Sequence, residues 1–98
     1  MALEHKIINN EKQMHFEIHE GDDIAFLEYR FHKSDIVFMH TVVPKSMEGR
    51  GIASALAAYA FNYAKEHNNP VKVYCPFVLT YIKRHPEVQD QLDKEFHG

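Results

Sequence analysis

One cysteine, Cys75, is all this 98-residue chain has, so an internal disulfide is excluded and a reducing compartment is implied. No segment approaches the roughly 18 uninterrupted apolar residues of a membrane-spanning helix. The opening Met1-Ala2-Leu3-Glu4-His5-Lys6 lacks the apolar centre of a signal peptide. These absences predict a cytoplasmic protein without membrane association. Clustered basic charge is missing too: 11 Lys and Arg stand against 14 Asp and Glu, and only Lys83-Arg84 are adjacent. A nucleic acid partner would need a concentrated basic surface, so none is expected. Metal motifs are absent as well. There is no His-Glu-x-x-His and no cysteine pair, and His15 and His19 lie too far apart along a strand for easy chelation. The eight histidines therefore predict a surface that gains charge below about pH 6.5, not a metal site.

Repeats, linkers and low-complexity segments are also lacking, and 98 residues suit one hydrophobic core, giving a single domain over residues 1–98. The first part of that domain alternates as half-buried strands do. Lys6 to Asn9 forms a short strand. Met14, Phe16 and Ile18 alternate with His15, Glu17 and His19 in a second. Ala25, Leu27, Tyr29 and Phe31 share one face of a third. Ile36 to Val43 is apolar on both faces apart from His40 and Thr41, as an interior strand would be. The short loops between them imply an antiparallel meander.

The period then changes. Ile52, Ala55, Leu56, Tyr59, Ala60, Tyr63 and Ala64 recur at helical spacing, and His67-Asn68-Asn69-Pro70 ends the helix. Val71 to Cys75 reads as a strand, returned by the helical crossover to lie parallel to the fourth. Phe77 to Arg84 is a short helix, and Pro86 suits the first position of a last one running to about Phe96. The fold class is α+β: about four antiparallel strands, a crossover helix, a parallel fifth strand and one or two short helices.

Between the fourth strand and the long helix stands Pro44-Lys45-Ser46-Met47-Glu48-Gly49-Arg50-Gly51-Ile52-Ala53-Ser54. A glycine loop at a helix N-terminus offers unpaired N–H groups and the positive end of the helix dipole, a cradle for phosphate. Tight turning with positive φ is the alternative use of Gly49 and Gly51. A P-loop is excluded because Gly-Lys-Ser/Thr is missing. A dinucleotide fold is excluded because Tyr74-Cys75 ends the next strand where an acid belongs, and the chain is too short for two nucleotide-binding halves.

Glu48-Gly49-Arg50-Gly51-Ile52-Ala53, with His40-Thr41-Val42-Val43-Pro44, Cys75-Pro76-Phe77-Val78 and Tyr81-Ile82-Lys83-Arg84-His85-Pro86-Glu87, resembles the small single-domain members of the GNAT (GCN5-related) N-acetyltransferase superfamily. Their loop reads Gln/Arg-x-x-Gly-x-Gly/Ala, and this chain departs from it in having Glu48 at the first position. The resemblance implies that acetyl-CoA lies between splayed fourth and fifth strands. By it, Val42 and Val43 contact the pantetheine arm. Gly49, Arg50, Gly51, Ile52, Ala53 and Ser54 hold the pyrophosphate, and Cys75 and Phe77 flank the thioester. It also implies acyl transfer to a small or peptide amine by a monomer or weak dimer, without metal. An acyl-CoA-binding or interaction module without turnover is the alternative.

Three residues are candidates for chemistry. Cys75 can take the acyl group as a thiolate, stabilised by the helix N-terminus that follows; it can equally be a buried apolar residue beside Val71 and Val73. His40 alternates with Phe38 and Val42, so a desolvated, neutral imidazole would serve as base; a core histidine bonded to a carbonyl is the other reading. Tyr81, one turn after Phe77, either faces Cys75 as an acid or only packs.

Overall fold

The computed structural model describes residues 5–95. Strands β1 (Ile8–Asn10), β2 (His15–Glu20), β3 (Asp23–His32) and β4 (Asp35–Val42) pair antiparallel in sequence order. Two-residue turns, Gly21-Asp22 and Lys33-Ser34, join β2 to β3 and β3 to β4. Each opens at positive φ, 59° and 57°, which matches the right-handed twist of the strands it connects. Helix α1 (Ile52–Glu66) crosses over the sheet to β5 (Val71–Val73), which pairs parallel with β4, and α2 (Pro76–Arg84) follows. The expected α+β architecture with its meander and parallel fifth strand is therefore the observed one.

Both helices lie on one face of the sheet. Phe16, Leu27, Tyr29 and Phe38 from the strands meet Leu56, Ala60, Phe61 and Val78 from the helices, and all are buried. Ring stacking fixes the layer: Phe16 lies 4.5 Å from Tyr29, and Phe38 meets Phe61 edge to face at 5.3 Å. The Tyr29 hydroxyl donates to Asn9 Oδ1 at 2.7 Å, tying β1 to the core, and burial with Tyr63 nearby pushes that phenol up to about 12. The helix face is broader than its period suggests. Ala57 and Phe61 are buried in the core, while Tyr59 and Tyr63 are only half-buried because they sit over the β2–β3 side.

Several boundaries differ from the sequence reading: β1 is Ile8–Asn10 instead of Lys6 to Asn9, and β4 is Asp35–Val42 instead of Ile36 to Val43. β5 stops at Val73 instead of Cys75, for a reason given below. The last helix is a 3₁₀ turn over Pro86–Gln91, and Phe96 lies outside the described residues. Leu92 is extended (ψ 144°) and bridges Val71 in parallel, and the Asp93 N–H donates to the Val71 carbonyl at 2.8 Å. Following the chain past Gln91 as helix would lose that pairing, which covers the start of an edge strand. None of the helices among the described residues is long and apolar enough to cross a membrane.

Candidate active site

The site begins where two parallel strands part. β4 and β5 pair at Ile36↔Val71, Val37↔Lys72 and Phe38↔Val73, and no further. The Phe38 carbonyl then accepts two bonds, from the N–H of Tyr74 at 2.9 Å and of Cys75 at 3.2 Å. Pro76 has no N–H to continue the ladder and fits the first turn of a helix, so the chain leaves the sheet at Cys75, the N-cap of α2. β4 runs on to Val42 against β3 alone. The result is a fork with Cys75 in its angle. Cys75 is 2% exposed, and its Sγ lies 3.3 Å from Thr41 Oγ1 on the other limb.

The glycine loop closes the open end of the fork. A 3₁₀ turn over Lys45–Met47, anchored by the buried Met47, leads into Gly49 and Gly51, whose φ values are 77° and 75°. Gly51 caps α1 in a left-handed conformation. The first intrahelical bond runs from the Ala55 N–H to the Gly51 carbonyl at 3.0 Å. The N–H groups of Ile52, Ala53 and Ser54 thus have no partner within the helix. Space above the two glycines is open, since a Cβ built on either would meet nothing within 4 Å.

That space is a hollow of about 230 Å³ containing Gly49, Gly51, Ile52, Ala53 and Ser54, with Val43 and Phe77 as walls. Val43 stands two residues beyond Thr41 and Phe77 two residues beyond Cys75, so the chain that leaves each limb of the fork reaches the hollow's wall. A neighbouring hollow of about 430 Å³, lined by Arg50, Tyr81 and His85, shares Gly51 and Ser54 with it. Both hollows thus border the N-terminus of α1, an end suited to an anionic group. Glu48, at the first position of the loop motif, is exposed at the rim of the smaller hollow. Arg50 forms an ion pair with Glu20 and belongs to the larger hollow. A still larger hollow of about 700 Å³ lies at the far end of α1, where Asp90, Asp93 and Glu95 line it beside Lys65 and Lys94, away from the helix N-terminus.

The other predicted residues are placed less as expected. Tyr81 stacks on Phe61 at 5.9 Å and on His85 at 4.1 Å, and burial, with Glu87 nearby, pushes its phenol up. It therefore lines the second hollow, and the hydroxyl beside Cys75 is that of Thr41. Val42 is 43% exposed and pairs with Phe26 on the helix-free face. His40 is not desolvated. Its side chain is 62% exposed, and Nε2 lies 3.0 Å from Glu28 Oε1. The cause is a bulge. Glu28 pairs with His40 and Tyr29 with Phe38, leaving Met39 as an extra residue. Beyond it every side chain of β4 changes face: His40 turns outward, and Thr41, opposite Leu27, turns in towards Cys75. Glu28 and Thr41 are the site residues that a strict two-residue period conceals.

The helix-free face also carries a second histidine–carboxylate group. Glu17, 6% exposed, accepts from His19 Nε2 at 2.7 Å and Asn10 Nδ2 at 3.0 Å, with His15 Nδ1 at 3.4 Å. Burial pushes its carboxyl up, but the bonds from His19, Asn10 and His15 and the charge of His19 outweigh that and hold it below the ordinary range. Among the described residues, neither this group nor any other set of three His, Cys, Asp or Glu side chains is arranged to hold a metal ion.

A family model described as GCN5-related N-acetyl-transferase matches residues 15–91, from β2 to the end of the last 3₁₀ turn. Protein NATD1 of Xenopus tropicalis is 34% identical over 65 residues, 65% of this chain and 60% of its own length. Protein NATD1 of Gallus gallus and of Mus musculus are each 35% identical over 65 residues, 65% of this chain and 59% of theirs. The chain thus spans about three fifths of the length of these relatives.

Proposed function

This chain belongs to the GCN5-related N-acetyltransferase family, and we propose that it transfers an acetyl group from acetyl-CoA to an amine by way of Cys75. One observation carries the reading: β4 and β5 part after Phe38 and Val73, and the residues that follow each limb, Val43 and Phe77, line the hollow over the glycine loop. The free N–H groups of Ile52, Ala53 and Ser54 would hold the pyrophosphate, with the Ser54 hydroxyl beside them. Gly49 and Gly51 keep that approach open, and Arg50 faces the outer part of the ligand. Val42 and Val43, at the end of β4, would flank the pantetheine arm, which brings the thioester to Cys75 and Phe77.

In the first step Cys75 Sγ, as thiolate, bonds to the acetyl carbon, and the bond from that carbon to the CoA sulfur breaks, releasing CoA thiolate, which takes up a proton. In the second, the neutral amine attacks the acetyl carbon, the bond to Sγ breaks and the Cys75 thiolate returns. The proton lost by the amine passes to His40, whose imidazole Glu28 orients on the open face of β4. Tyr81, buried between the helices, helps shape the hollow it lines by packing. The acceptor is a small or peptide amine approaching over the helix-free face.

A second reading, an acyl-CoA binder without turnover, is favoured by the low exposure of Cys75, 2%. Steady-state release of free CoA thiol from acetyl-CoA, measured with a panel of amines and peptides, tests the choice. Amine-dependent release above the rate of uncatalysed hydrolysis supports transfer. Saturable coenzyme A binding with no amine-dependent release supports the binder.

A further inference from the structure

We propose that Thr41 is the positioning residue of Cys75: its hydroxyl aims Sγ into the fork and becomes the donor that stabilises the thiolate. The inference rests on the reading of Cys75 as acyl carrier and adds a residue to it. Thr41 reaches the sulfur only because Met39 is an extra residue in β4; with regular alternation from the buried Phe38, position 41 would face the opposite side. The bulge therefore places the hydroxyl of the half-buried Thr41 3.3 Å from the sulfur of Cys75, a member of the apolar layer that includes Leu27, Phe38 and Val73. Among the described residues, Thr41 is the one hydrogen-bond partner of Sγ.

The chemistry of the pair is directional. A thiol and a hydroxyl can each donate to the other, but a thiolate can only accept. Once the sulfur loses its proton, Thr41 Oγ1–H must be the donor, and a bond to an ionised acceptor is roughly twice as strong as a neutral one. In a residue that is 2% exposed, as Cys75 is, little water is available to replace that donor. Thr41 is thus matched to the reactive form and holds it on the limb of the fork along which the thioester would lie.

The chain has one cysteine, so alkylation by iodoacetamide, followed by intact mass, reports on Cys75 alone and needs no acetyl-CoA. The rate is measured against pH for the unaltered protein, Thr41→Val and Thr41→Ser, with melting temperatures recorded beside it. The expected result is a rate at pH 7 about tenfold lower in Thr41→Val, with the profile moved to higher pH, and recovery to within about threefold in Thr41→Ser. Superimposable profiles for Val and the unaltered protein, or Ser no better than Val, overturn the proposal. If Thr41→Val does not fold, Thr41→Ala supplies the same comparison against Ser. Acetylation of Cys75 with no Thr41 effect on alkylation would reject Thr41 and keep the carrier. A Thr41 effect without acetylation would keep the positioning role and reject the carrier.

Discussion

The carbonyl of Phe38 accepts the N–H of Cys75 at 3.2 Å, and that bond is the last backbone tie between β4 and the chain leaving β5. One residue later Pro76 forbids another, so the angle of the fork is set by covalent structure and not by a mobile loop. The nucleophile candidate, the free limb of β4 and the walls of the glycine hollow are all fixed relative to this point. A site built on strand ends and a helix start is held more firmly than one built on loops, and transfer chemistry depends on such placement.

Gly51 holds φ 75° at the cap of α1. Replacing it by Ala should cost about 1–2 kcal/mol, all of it backbone strain, because a Cβ there meets nothing within 4 Å. Gly51→Asn should cost less, since Asn tolerates the left-handed region. Urea denaturation orders the three proteins. Coenzyme A titration should show affinity falling with the same order if the cap aims the free N–H groups at the pyrophosphate.

His40 and Glu28 act after Cys75 in the proposed sequence. His40→Gln should lower the rate of transfer to the amine by about a hundredfold, and Glu28→Gln should lower it less. Both should leave the burst of CoA release from the first step unchanged. Rapid-mixing measurement of the burst and the steady rate separates the two steps; a lost burst in His40→Gln would remove His40 from its assigned place.

Glu17 links the open face to stability. Its folded carboxyl lies below its unfolded value, so the folded state binds fewer protons than the unfolded one as pH falls. The stabilisation is fully present above the ordinary carboxylate value near 4.5 and is lost as pH drops through the lowered one. Glu17→Gln should therefore be less stable than the unaltered protein at pH 6, with the gap closing towards pH 3. A gap independent of pH would assign the effect to packing alone.

The strand and helix order was legible because the apolar period changes from 2 to 3.6 at the glycine loop, and the turn residues at Gly21 and Lys33 leave no room for crossover connections. Gly49 and Gly51 could be read as a helix-start loop for the same local reason. His40 could not be placed, because one inserted residue, Met39, reverses the faces beyond Phe38, and a bulge has no compositional mark in this strand. Glu28 and Thr41 were hidden with it. Each depends on a cross-strand partner, and pairing register lies outside any single-strand pattern. For Tyr81 the sequence left two readings open, and the ring packs against Phe61 and His85, a choice made between two helices.

Intact-mass measurement after brief incubation with acetyl-CoA, run beside Cys75→Ala, tests the central claim most directly. The account predicts a gain of about 42 Da, one acetyl group replacing a thiol proton, that appears in the unaltered protein and is absent from the variant. It also predicts that adding an accepting amine removes the gain. No adduct on a protein whose melting temperature rises with acetyl-CoA would contradict Cys75 as carrier and leave direct transfer or plain binding; neither adduct nor thermal shift would contradict the acetyl-CoA site itself.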